Sequence, residues 1–202
     1  LQSRLTTDYS VLAKKKDCLE RYQKSDKALK QVSAQKKDLV ESAIAKFKTS
    51  DTNRNSAEDR FCQICKMFYD KPGTLGIEFR TRGKPKIRFA PEFPKDRSDG
   101  IEKIKVFTFD LTMFEQQRKC GRKMDFLVHD SSIFDSVDPR QVAKALEEAD
   151  RVTVAGGSQY ICALNADKLP VNDFTTGYDV NGKIVLTLED GPMQNSLLGV
   201  GF

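Results

Sequence analysis

The sequence predicts an α/β lobe with a largely parallel sheet, preceded by a long coiled-coil helix. Three observations carry that reading. The first fifty residues contain no proline and no glycine, and their apolar residues fall at heptad-like spacing. Beyond them, short apolar runs alternate with stretches of helical periodicity, the order in which parallel strands and crossover helices follow one another. One such run, Phe126-Leu127-Val128, ends at Asp130 and leads through a polar loop to Asp138-Pro139 and a helix start.

In the arm, Leu5, Leu12 and Leu19 repeat every seven residues, and Leu19, Tyr22, Asp26 and Leu29, then Val40, Ala43 and Phe47, continue at spacings of three and four. That is an imperfect heptad seam, expected to be one strand of a coiled coil whose antiparallel partner would lie upstream. Asp26, Ser33 and Lys36 weaken the seam, and the plainer alternative is a solvated charged helix docked on its own domain. The sequence opens inside this helix without a capping residue, so a downstream piece of a longer protein is expected. The polar Thr49–Asn55 stretch reads as a loop or hinge, and Arg60–Tyr69 as a further helix. These signals divide the chain into an arm over 1–55 and a lobe over 56–202.

Within the lobe, Leu75–Arg80 and Lys86–Ala90 alternate apolar and polar residues around a turn-like Thr-Arg-Gly-Lys-Pro, which predicts a β-hairpin. A loop over Glu92–Gly100 follows, then a helix from Ile101 to about Lys119 with Ile104, Phe107, Thr108 and Leu111 on one face. A buried strand at Asp125–His129, a helix from Pro139 to about Asp150 and a strand at Tyr160–Leu164 come next. A hairpin turning at Asn181-Gly182 and the small, apolar LLGVGF end the chain.

Composition bounds the function. The first fifty residues hold 12 Lys and Arg against 6 Asp and Glu, whereas residues 51–202 carry a net charge of −1, so the basic surplus is assigned to the arm. No apolar run approaches the roughly 18–20 residues of a membrane span, and no secretory pattern opens the chain. Five scattered cysteines, an odd number, read as reduced thiols. A soluble cytoplasmic protein is expected.

Two motifs are set aside. Gly177 to Lys183 matches the first seven positions of the phosphate-cradling G-x-x-x-x-G-K-S/T, but the eighth is Ile184, and neither a strand before it nor a helix after it is indicated. The pair Cys62 and Cys65 has no second pair and no nearby histidine, short of the four ligands zinc needs.

The remaining chemistry lies around Asp130. A strand that delivers a carboxylate at its C-terminal tip is how nucleotide-binding α/β domains hold Mg²⁺ against phosphates. The order of Ser98-Asp99-Gly100 opening an amphipathic helix, then FLVHD ending at Asp130, then Asp138, then YICALNAD with Asn165, resembles the C-terminal half of an SMC-like ABC ATPase head. There a signature motif, Walker B strand, D-loop and switch strand follow in that order. FLVHDSSIFDSVDPRQVAKAL with YICALNADKLP looks closest to the domain of unknown function that closes the ATPase component of bacterial ABC-three-component systems, which act in anti-phage defence.

The resemblance implies ATP and Mg²⁺ as cofactors, with Asp130 on the metal and Ser98 and Gly100 facing the γ-phosphate held by a second head. Asp138 would read the opposing subunit, and Asn165 would occupy the position of the switch histidine. Ser131 stands where most such ATPases have the glutamate that activates water, so Asp135 in the same loop is the candidate base. The Asp130–Asp138 loop is also one residue longer than usual, and Asp99 replaces a signature glycine. The implied partners are the chain's own P-loop lobe, a second head in a homodimer, DNA, and other subunits of a defence complex, with no membrane.

Each of these residues also has a plain structural reading. Ser98-Asp99-Gly100 can be a helix cap and turn, Asp138-Pro139 a cap followed by proline at the first helical position, and His129 a packed core histidine, although it could tune its neighbour Asp130. The arm lysines can be a solvated face or can follow a DNA backbone. A catalytically degenerate scaffold built on a coiled coil is the alternative function.

Overall fold

The computed structural model describes residues 2–84, 86–94 and 98–188. Among them are four α-helices and two two-stranded sheets, in the order α1 (Gln2–Thr49), α2 (Asp51–Tyr69), β1 (Thr74–Arg80), β2 (Lys86–Glu92), α3 (Asp99–Lys119), β3 (Phe126–His129), α4 (Pro139–Gly156) and β4 (Gln159–Cys162). The class is mixed α/β. No helix among the described residues is long and apolar enough to cross a membrane. Two compact units emerge. One combines the described residues up to Thr52 with Ile77–Arg88, the outer part of the β1–β2 hairpin, and the other holds Asn53–Gly76 and the described residues from Phe89 onward.

In the first unit, α1 runs without interruption, supported by i,i+4 ion pairs such as Asp17–Arg21 and Asp26–Lys30. Its seam is open: Leu12, Leu19, Tyr22 and Leu29 are 56–73% exposed. The side chain of Leu5 lies outside the described residues. Phe47 of the arm packs against Phe79 of β1, the rings tilted and 5.8 Å apart between centroids, which seats the hairpin on the helix. The expected loop over Thr49–Asn55 shrinks to the single residue Ser50. The hydroxyls of Thr49 and Ser50 donate to the carbonyl of Lys46 and close the last turn locally, and Asp51 supplies the acid that a new helix favours in its first turn.

The second unit is built around α3. Phe107 is fully buried, and its ring meets Phe68 of α2, His129 of β3, Phe134 of the following loop and Tyr160 of β4 at centroid distances of 5.6–6.3 Å. Thr108 and Thr112 share this buried face because their hydroxyls bond back to Ile104 and Thr108 carbonyls, at 2.8 and 2.7 Å. Opposite lies α4, with Asp138 as N-cap, Pro139 in its first turn and a left-handed Gly157 as C-cap. It runs past the expected end near Asp150, burying Val152 and Thr153.

Strands β3 and β4 pair in parallel, with Phe126 opposite Gln159 and His129 opposite Cys162. The sequence suggests a buried strand, and here the structure differs in part. Leu127, His129, Tyr160 and Cys162 point at the helices, whereas Phe126, Val128 and Ile161 on the other face are 60%, 53% and 48% exposed. An apolar run cannot reveal by itself whether its second face is covered by the same polypeptide.

The expected hairpin at Asn181-Gly182 does not form among the described residues. Asn181–Lys183 is a 3₁₀ turn, in which the Gly182 N–H donates to the Asp179 carboxylate at 3.0 Å. Lys183 is tied to Asp150 of α4 at 2.8 Å, which gives the lysine of the rejected phosphate motif a structural partner. Ile184–Leu188 follows outside any strand, with Val185 97% exposed. The LLGVGF end lies outside the described residues.

Three helices are joined by charge. Arg60 of α2 donates to both Glu115 of α3 and Glu148 of α4, and Glu148 also accepts from Arg151 at 2.7 and 2.8 Å. Burial opposes ionisation of Glu148, but the two arginines outweigh it and hold the carboxyl below the ordinary glutamate range. A depressed folded-state pKa stabilises above the unfolded value and is lost as pH falls through the depressed one. Glu148→Gln is therefore expected to lower stability at neutral pH by about 2–3 kcal/mol. It should also lose less than wild type on acidification to about pH 3, measured as urea midpoints across that range.

Candidate functional site

Strand polarity gathers the expected residues at one end of the lobe. Asp130 follows His129 at the C-terminal tip of β3, and Asn165 lies three residues beyond Cys162, the register partner of His129. Both therefore leave the same end of a parallel pair, the end at which open α/β sheets bind ligands. Asp130 is exposed, and among the described residues its carboxylate accepts no hydrogen bond. A carboxylate left free in this way suits Mg²⁺, which takes one or two carboxylates and completes its shell from phosphates and water. No group of three or more Asp, Glu, His or Cys side chains able to hold a metal occurs among the described residues.

After Asp130 the chain makes a 3₁₀ turn over Ser131–Phe134, anchored by Phe134 in the core. Asp135 ends that turn, exposed to solvent, and Ser136 adopts a left-handed φ of 61°. This brings the Ser136 carbonyl onto the first turn of α3. A Cβ at Gly100 would lie 2.3 Å from that oxygen and 3.3 Å from Val137 Cα. The Cβ-free face of Gly100 fits against this backbone, and any side chain there would collide with it. The start of α3 and the Asp130–Asp138 loop are therefore in direct contact, so Ser98, Gly100, Ser131, Asp135 and Asp138 belong to one neighbourhood.

Each residue also has local work. Ser98 caps α3 by accepting from the Ile101 N–H at 3.4 Å. Asp138 caps α4 through the Arg140 N–H at 2.9 Å and is gripped by the Arg140 guanidinium at 2.9 and 3.0 Å. The hydrogen bonds from the Arg140 side chain, with its charge, pull the Asp138 carboxyl down to about 2. Asn165 precedes a short 3₁₀ turn and uses no side-chain cap bond.

Beneath Asp130 lies a polar cluster that sequence reasoning missed. His129 is buried, with Nε2 3.2 Å from Asp110 of α3 and Nδ1 3.1 Å from the Tyr160 hydroxyl of β4. The neutral tautomer protonated on Nε2 satisfies both: it donates to Asp110 and accepts from Tyr160. Burial raises the Tyr160 hydroxyl well above its ordinary pKa and keeps it a donor. Burial also raises the adjacent Cys162 thiol. The packed-histidine reading of His129 thus holds, with partners on two other elements. The alternation of Tyr160 and Cys162 toward the helices was a legible signal, whereas Asp110 on an otherwise apolar helix face was not.

Cys65 is buried against Gly73, and burial, helped by Cys62, raises its thiol to about 11. That is the setting of an inert packing cysteine.

A model of an uncharacterised protein family conserved in bacteria (DUF2326) matches residues 64–202, which include every residue named in this site. No curated protein matches the chain.

Two substitutions probe this arrangement. Gly100→Ala is expected to cost about 1–3 kcal/mol in denaturant unfolding by driving the loop off α3. Asp110→Ala leaves a buried imidazole N–H without its acceptor and should cost about 1–3 kcal/mol, while Asp110→Asn, which keeps a carbonyl there, should recover most of that loss in the same measurement.

Proposed function

This chain belongs to a family of uncharacterised proteins conserved in bacteria (DUF2326), and we propose that it serves as the C-terminal lobe of an SMC-like ABC ATPase head. In this reading the lobe carries a coiled-coil return helix, combines with a P-loop lobe, dimerises around ATP and Mg²⁺, and acts on or senses DNA in bacterial defence.

One observation carries the reading. A free carboxylate at the tip of a parallel strand opens a loop that packs on the first turn of the helix expected to bear the signature motif. In that arrangement Asp130 would hold Mg²⁺, Ser98 and the first turn of α3 would meet a γ-phosphate with hydroxyl and backbone N–H groups, and Asp138 would face the opposing subunit. Bound Mg²⁺–ATP would supply the phosphoanhydride to be cleaved. Asp135 and Asn165 are the side chains available to orient water, with Ser131 beside them. The half-covered β3–β4 pair supports the same reading, because parallel strands normally occur with both faces covered and Phe126, Val128 and Ile161 are not.

A second reading is supported by the local work already described. Ser98 and Asp138 are satisfied as caps and Gly100 as a packing glycine, so a degenerate head that serves as a coiled-coil scaffold has the same residues for structural reasons.

In the complete two-lobed protein, Asp130→Asn is expected to reduce Mg²⁺-dependent ATP turnover at least tenfold, or to abolish ATP-driven dimerisation. Dimerisation by ATP with no turnover in the wild-type protein would select the scaffold. Unchanged turnover and dimerisation in the variant would sink the nucleotide reading.

A further inference from the structure

The fold redistributes charge in a way that the linear sequence does not show. Residues 1–52 and 77–88, which form one unit, contain 17 Lys and Arg against 8 Asp and Glu, a net +9; the remainder of the chain is −4. The added charge comes from the hairpin turn. Between Arg80 and Arg88 five of nine residues are basic and none is acidic. All five, Arg80, Arg82, Lys84, Lys86 and Arg88, are exposed. Arg80 pairs with Glu78 at 3.2 Å; the other four make no ion pair among the described residues.

Arm and turn enclose a groove of about 500 Å³, with Lys36 and Lys37 on the helix facing Thr81 and Gly83 of the turn. Its one acid, Glu41, lies 3.9 Å from Lys37. Gly83, at φ 83°, has nothing within 4 Å of where a Cβ would be, so a ligand can approach the backbone of the turn closely. From the groove the arm carries further lysines and arginines back to Lys14, roughly 33 Å along the helix at 1.5 Å per residue.

We propose that the hairpin turn and the arm together form a binding surface for the phosphodiester backbone of a duplex nucleic acid. A small anion would use a few of these charges, whereas a polyanion can use the groove and the arm at once. The hairpin contributes charge and not base stacking, because its aromatic rings are already in contact with others: Phe79 with Phe47, and Phe89 with Phe109 at 5.3 Å. The surface requires no nucleotide and uses none of the residues of the Asp130 site.

The test is fluorescence anisotropy of a labelled duplex of about 30 base pairs, without ATP, over about 50–200 mM salt, where each phosphate contact contributes about −0.9 to the slope of log K against log salt. The triple variant Arg82→Glu, Lys84→Glu, Arg88→Glu is expected to weaken binding at least tenfold and to reduce the slope by about 2–3. The charge-keeping variant Arg82→Lys, Arg88→Lys should bind within about twofold of wild type under the same salt dependence, and circular dichroism checks that all variants keep their helix. Equal affinity for duplex RNA identifies the shared phosphodiester as the ligand, and a preference for DNA narrows it to that duplex; either supports the surface. Asp130→Asn should bind the duplex as wild type does, whatever its effect on ATP. Salt-independent binding, an unaltered affinity in the triple glutamate variant, or capture by phosphatidylserine vesicles with none by duplex would overturn the proposal.

Discussion

The aromatic contacts of Phe107 hold the second unit together. One ring, fully buried in the middle of α3, touches α2, both strands of the parallel pair and the loop between β3 and α4. Because those four partners share one neighbour, α3 cannot shift without moving all of them. The same helix supplies Gly100 to the loop, Asp110 to His129 and Glu115 to Arg60. The position of Asp130 is therefore set by the helix that precedes its strand. That dependence also explains why His129, Gln116 and Glu148 are tolerated close to the core, since each has a partner on a different element.

Much of this was legible in the sequence, and the failures have physical causes. The strand ending at Asp130, the cap at Asp138-Pro139 and the start of α3 were readable because apolar periodicity and capping chemistry are local. The Thr49–Asn55 stretch misled because hydroxyls and an aspartate are at once loop-formers and good helix-end residues, and only the bonds to Lys46 decide between them. Asn181-Gly182 misled for a related reason: the dipeptide favours a tight hairpin only when the flanking strands find each other, and here Asp179 and Asp150 claim the turn. The Asp110–His129–Tyr160 cluster and the Gly100–Ser136 contact link residues far apart in the chain, so no local pattern announces them. The basic turn was visible as composition, but its union with the arm was not.

The two functional readings differ over what a residue is for, not where it lies. A cap, a packing glycine and a phosphate-facing helix start can be the same atoms, because unpaired N–H groups at a helix N-terminus serve protein and ligand acceptors alike. Asp130 is different. Among the described residues its side chain caps nothing and accepts no hydrogen bond, so it is the residue whose substitution separates the two readings.

The bare side of the β3–β4 pair has a practical consequence. Phe126, Val128 and Ile161 form an adhesive strip, and the Ile184–Leu188 run offers a second stretch of β-prone apolar residues that no strand partner claims among the described residues. Unshielded strand-formers of this kind invite edge-to-edge aggregation. Purified by itself, the polypeptide is a candidate for concentration-dependent clumping, and a lysine at Val128 or Val185 would act as a gatekeeper against it.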